Sequence, residues 1–102
     1  MNGFPTEEKP YLFNGDFVDR GSFSVEVIVT LLAFKLANPK CMYLNRGNHE
    51  SLNLTKMYGF EGEVKKKYCD LTYSLFIHSF KYLPLAHIIN DKVLVLHGGL
   101  FE

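Results

Sequence analysis

A length of 102 residues, 47% of them hydrophobic and 15% aromatic, is that of one domain with a packed core and excludes a disordered segment. Eleven basic residues balance eleven acidic ones, so nucleic acid and membrane are not expected among the partners. No apolar run reaches membrane-spanning length, the first residues lack a signal-peptide pattern, and Cys41 and Cys69, without Cys-x-x-Cys spacing, are expected to be buried free thiols of a reducing compartment, cytoplasmic or nuclear.

In chain order, residues 2–9 are polar and turn-rich, and Tyr11-Leu12-Phe13 reads as a short buried strand that delivers Gly15 and Asp16. Ser22 or Ser24 is placed to cap a helix in which Val25, Ile28, Val29, Leu32 and Leu36 recur at helical spacing until Asn38-Pro39 stops it. Cys41 to Leu44 is a second strand candidate, and the intervening helix makes the pair most simply a right-handed βαβ unit, with both carboxyl ends pointing one way. Leu52 to Phe80 reads as mostly helical, broken at Tyr58-Gly59-Phe60, with an apolar stripe of Val64, Tyr68, Leu71, Leu75 and Phe76. Lys65-Lys66-Lys67 is expected to decorate a solvated helix face. After Pro84, Ala86 to Ile89 and Val93 to Leu96 read as a hairpin whose second strand presents His97.

Three motifs follow strand candidates: Gly15-Asp16-Phe17-Val18-Asp19-Arg20-Gly21, Arg46-Gly47-Asn48-His49-Glu50, and His97-Gly98-Gly99. An open α/β sheet gathers its ligands at the carboxyl ends of its strands, so the three are expected to converge on one crevice. Asp16, Asn48 and His97 are hard or borderline donors, and a carboxylate with two oxygens can bridge a pair of cations, the arrangement that activates water against a phosphate ester. Asp19 and His49 are then the acid/base candidates, the carboxylate fixing the tautomer of the imidazole, and Arg20 supplies a fork for two phosphate oxygens. The glycines at 15, 21, 47, 98 and 99 are expected to allow tight turns and close approach. Arg46 could brace the phosphate or pair with a neighbouring acid, and His78 and His87 are given no catalytic role.

Together these motifs resemble those of the metal-dependent phosphoprotein phosphatase family, the serine/threonine phosphatases with a calcineurin-like metallophosphoesterase fold. The resemblance runs over nearly all of the chain. It implies an α/β fold: a partial metallophosphoesterase β-sandwich with βαβ units and flanking helices. It implies two divalent metal ions (Mn, Fe or Zn), with Asp16 bridging them and Asn48 and His97 on the second. It also implies His49 as general acid oriented by Asp19, Arg20 and Asn48 on the substrate phosphate, and Tyr58 lining the cleft. The substrates would be phosphoserine and phosphothreonine in proteins, and the further partners a regulatory helical-repeat domain or a chaperone outside this chain.

The family pattern also includes an upstream Gly-Asp-x-His-Gly, a downstream histidine on the second metal and a second phosphate-binding arginine, none of which stands in these 102 residues. Residues 1–102 are therefore expected to be one partial catalytic domain, truncated at both ends, with apolar strand edges and helix faces exposed. A non-catalytic fragment or pseudophosphatase acting through interactions is the alternative. Rival hydrolytic chemistries do not fit. Cys41 and Arg46 are one residue too close for His-Cys-x5-Arg, and Asp16 and Asp19 do not form Asp-x-Asp.

Overall fold

The computed structural model describes residues 3–99; Asn2 of the polar opening segment lies outside them. Two short parallel strands, β1 (Tyr11–Phe13) and β2 (Met42–Leu44), pair with Tyr11 opposite Met42 and Phe13 opposite Leu44. Helix α1 (Ser24–Ala37) connects them, which is the βαβ unit expected from the apolar spacing. Helices α2 (Leu52–Tyr58), α3 (Phe60–Lys67) and α4 (Asp70–Phe80) follow. Strands β3 (Ala86–Ile89) and β4 (Val93–Leu96) then form an antiparallel hairpin, turning through Asn90 and Asp91, both at positive φ, so that the turn twists in the sense the strands require.

The core lies between α1, β2, α3 and α4. Val25, Ile28, Leu31, Met42, Leu44, Phe60, Val64, Tyr73 and Phe80 are buried, with Phe76 edge-on to Phe60. The helical faces differ from those read off the spacing. On α1, Val25 and Ile28 are buried as expected, but Leu31 joins them while Val29 and Leu36 are exposed. That helix is apolar on more than one side, and only the positions of β2 and α3 select the inner face. In the expected stripe from Val64 to Phe76, Val64 is buried but Tyr68, Leu71 and Leu75 face outward. A second break at Tyr68 and Cys69 resets the helical phase, so Tyr73 and Phe80 take the inner positions.

The start of α1 is a further correction. Neither Ser22 nor Ser24 caps it; the buried carboxylate of Glu63, on α3, accepts from the main-chain nitrogens of Ser24 (3.2 Å) and Val25 (2.6 Å). A carboxylate there satisfies two orphan donors and complements the helix dipole. Lys65, Lys66 and Lys67 lie exposed on α3 as expected, and Lys67 is also tied to the start of α1. It reaches Glu26 (2.8 Å), Glu63 (3.2 Å) and the carbonyl of Ser22 (2.7 Å), and its hydrogen bond to Glu26 leads the contacts that hold its ammonium above the ordinary lysine range. Cys41 is buried as expected, whereas Cys69 is exposed and bonds the Thr72 hydroxyl. Much of the hairpin, including Ile88, Val93 and Leu94, is exposed, in line with the expected apolar surfaces.

Candidate functional site

Three loops meet where β1, β2 and β4 end. The chain leaves β1 through Gly15 at φ +86° and then takes positive φ at Asp16, Asp19 and Arg20. Non-glycine residues in that region cost of order 1–3 kcal/mol each and persist only when their surroundings hold them. The surroundings here are specific. A side chain on Gly15 would meet the Cα of Gly47 at 2.6 Å and Nδ1 of His97 at 2.8 Å, and one on Gly47 would meet Oε2 of Glu50 at 2.8 Å and run into Asp16, so the loops approach through glycine alone. Gly21 and Gly98 carry no such requirement, since a side chain on either would meet nothing within 4 Å among the described residues.

The residue that ties the first two loops together is Glu50, which sequence reasoning passed over although it closes the Gly47-Asn48-His49-Glu50 run. Its fully buried carboxylate accepts from the main-chain nitrogens of Asp16 (2.9 Å), Phe17 (2.6 Å) and Gly47 (2.6 Å). Three amide donors satisfy the buried carboxylate, which has no ion-pair partner among the described residues. Arg46 makes no ion pair with a neighbouring acid among the described residues; Nε donates to the main-chain carbonyl of Glu50 (2.8 Å), and its own amide donates to the carbonyl of Pro84 (2.8 Å).

Asp19 and His49 come together as expected. Oδ2 of Asp19 lies 2.7 Å from Nδ1 of His49, and Oδ1 accepts from the amide of Phe60 (2.9 Å), the first residue of α3. The Asp19 side chain is fully buried, so the pair is held on both sides. A carboxylate only accepts, hence Nδ1 carries a proton and Nε2 remains for chemistry. Tyr58 stands edge-on to His49 with ring centroids 5.3 Å apart, and the Arg20 guanidinium lies over the same tyrosine ring at 5.3 Å. The half-exposed Tyr58 thus separates an exposed guanidinium from a buried imidazole.

Asp16, Asn48 and His97 also converge, on a more open patch. Nε2 of His97 lies 3.1 Å from Oδ1 of Asn48 and 3.3 Å from Oδ2 of Asp16, while Oδ1 of Asp16 accepts from the amide of His49 (3.1 Å). On the other side of the ring, Nδ1 sits 2.6 Å from the main-chain carbonyl of Asn14 and must donate to it. A neutral His97 therefore presents a lone pair at Nε2 to two further acceptor oxygens. Lone pairs facing one another are unfavourable, and a cation relieves them. One carboxylate, one amide oxygen and one imidazole form a set that suits Mn, Fe or Zn, so the residues present fit a divalent metal. No cluster of three or more His, Cys, Asp or Glu side chains forms among the described residues, because the third donor here is an amide.

Behind His97 stands a polar network whose members were not singled out from the sequence as site residues. The fully buried Asn45 bonds Asn14 (2.8 Å), the carbonyl of Val95 (3.1 Å) and His87 (2.5 Å), and Asn14 bonds the carbonyl of Leu96 (3.0 Å). Burial first, then the Lys35 ammonium, pushes the His87 imidazole below the ordinary histidine range.

A family model described as calcineurin-like phosphoesterase matches residues 1–102. The chain is 64% identical over 102 residues to serine/threonine-protein phosphatase 5 of Arabidopsis thaliana, covering all of this chain and 19% of that protein. It is 62% identical to serine/threonine-protein phosphatase 5 of Homo sapiens, over the whole chain and 20% of the relative. A solved structure of a protein serine/threonine phosphatase from Saccharomyces cerevisiae, described as similar to human phosphatase PP5, superposes with a TM-score of 0.87 at 55% identity, covering 89% of this chain and 29% of that one. The chain spans about a fifth of the length of these curated relatives.

Proposed function

The chain belongs to the calcineurin-like phosphoesterase family, and from that premise we propose that it carries part of the active site of a protein serine/threonine phosphatase that hydrolyses phosphoserine and phosphothreonine. The observation that carries the reading is the juxtaposition of three convergent acceptors, Asp16, Asn48 and His97, with a locked Asp19–His49 pair. Relatives named as serine/threonine-protein phosphatases at above 60% identity support the substrate class. Asp16, Asn48 and His97 would hold metal, with Asp16 the candidate to bridge two ions. Divalent ions supply activation of the attacking water and polarisation of the phosphate. Arg20 forks two phosphate oxygens, and Tyr58 braces its guanidinium. Asn48 adds a contact to the phosphate. Asp19 fixes His49 with Nδ1 protonated, so the imidazolium gives its Nε2 proton to the departing serine or threonine oxygen.

The test is release of inorganic phosphate from a phosphoserine peptide with added Mn²⁺, by the protein as its gene encodes it. Metal-dependent release supports the reading; a folded, Mn²⁺-loaded protein that releases none overturns it. A second reading, that these 102 residues by themselves are a non-catalytic fragment, is favoured by the donor set, which offers one carboxylate, one amide and one imidazole for two ions. It predicts weak metal uptake, and a calorimetric titration that finds two tight Mn²⁺ sites on the 102-residue chain would refute it. We also propose a reducing compartment, cytoplasm or nucleus, supported by the free thiols of Cys41 and Cys69 and testable by microscopy of a tagged protein.

A further inference from the structure

The hydrogen bonds behind His97 have only one consistent direction. Asn45 faces two acceptors, Oδ1 of Asn14 and the Val95 carbonyl, so its amide nitrogen points to them and its oxygen points to His87. A flipped amide would set its oxygen against both. Nδ1 of His87 must then donate to Asn45, Asn45 donates to Asn14, and Asn14 donates to the Leu96 carbonyl beside His97. With the Asn14 side chain held at both ends, its main-chain carbonyl faces Nδ1 of His97 and forces the proton there. Asn45 is fully buried, so water offers no substitute for the three partners it bonds itself.

From this directional chain we infer that Asn45 is a positioning residue for the metal site, acting through Asn14 to hold His97 with Nδ1 protonated and Nε2 open for coordination, and that His87 sets the orientation of Asn45. The inference rests on His97 being a metal ligand, as proposed above, but what it predicts for the ring is independent of metal. It also gives the hairpin a task. β3 contributes His87 and β4 delivers His97, so one hairpin carries both the ligand and the group that orients Asn45, through two residues that follow the strands of the other sheet.

The experiment is long-range ¹H–¹⁵N NMR of the imidazole nitrogens in the metal-free protein as its gene encodes it, paired with calorimetric Mn²⁺ titration. In Asn45→Ala, His97 is expected to leave the single Nδ1–H form for a mixture of tautomers, and Mn²⁺ affinity to fall roughly 10- to 100-fold, the usual effect of losing a group that orients a ligand. His87→Leu should shift both readouts in the same direction by less, and His87→Gln, whose amide can still donate to Asn45, should restore them. Wild-type tautomer and affinity in Asn45→Ala, with only a lower melting temperature, would overturn the inference. Should Asn45→Ala not fold, the half-buried His87 pair decides, and identical readouts from His87→Leu and His87→Gln would overturn it. A wild-type protein that binds no Mn²⁺ would sink the phosphatase reading instead, while the tautomer of His97 still decides the relay.

Discussion

The proton-handling pair and the metal-facing trio sit on neighbouring loops yet are built in opposite ways. Asp19 and His49 are buried, complementary and over-determined, one oxygen of the aspartate on the imidazole and the other on the first amide of α3. Asp16, Asn48 and His97 are more exposed, and with His97 neutral the atoms they turn toward one another, Oδ2, Oδ1 and Nε2, are all acceptors. The first arrangement is satisfied by the chain itself. The second is satisfied only by something positive brought from outside, which is how a chain can fold around a site and still leave it avid.

The comparison can be broken most severely at His49. His49→Gln should lower kcat on a phosphoserine peptide by about 10²- to 10⁴-fold, the usual worth of general acid catalysis. Mn²⁺ affinity should stay the same, and the loss should shrink on an aryl phosphate whose leaving group needs no proton. Equal losses on both substrates would remove the acid role. Asp16→Asn should do the reverse, abolishing tight Mn²⁺ uptake in calorimetry. Its thermal midpoint should hold or rise, since the one carboxylate facing the His97 lone pair is gone; a large drop would mean that Asp16 stabilises the metal-free fold.

Glu50→Gln is expected to cost about 1–3 kcal/mol, because an amide nitrogen would face buried amide donors that now have an acceptor. Urea unfolding measures this, and a cost near zero would mean that water replaces the carboxylate. The smallest effect is on pH dependence. His87 is held below the ordinary histidine pKa, so the unfolded chain binds more protons than the folded one, and stability should decline as pH falls through about 6.5. His87→Gln should flatten that part of the profile, and an unchanged slope would assign it to another group.

What the amino-acid sequence disclosed and what it hid divide along the same physical line. The strands around Leu12, Tyr43 and Val95, the hairpin and the three motifs were legible because each is written in a few consecutive residues. Asp16, Asn48, His97, Asp19 and His49 were legible because donors of those types at strand ends have few other uses, and the fold brings them together. The capping of α1 by Glu63, 39 residues from Ser24, had no local signal. Nor did the outward turn of Leu71 and Leu75, which follows from a break at Cys69 that resets the helical phase. Asn45 and Asn14 carry no signal of a role in the sequence, because their partners come from the hairpin and from each other. The terminal amides of Asn45 and Asn14 and the imidazole of His87 matter through partners that only tertiary structure supplies.

The Glu50 carboxylate has one more consequence, for motion. Loop amides ordinarily exchange their hydrogens with solvent in moments, because no ladder protects them. Those of Asp16, Phe17 and Gly47 all end on one buried carboxylate, so opening any one of them strands an anion in the interior. The two loops should therefore exchange as a single unit, at the pace of the strands they follow, and the ligands they carry should keep their spacing through fluctuations that loosen the hairpin and the outer face of α4.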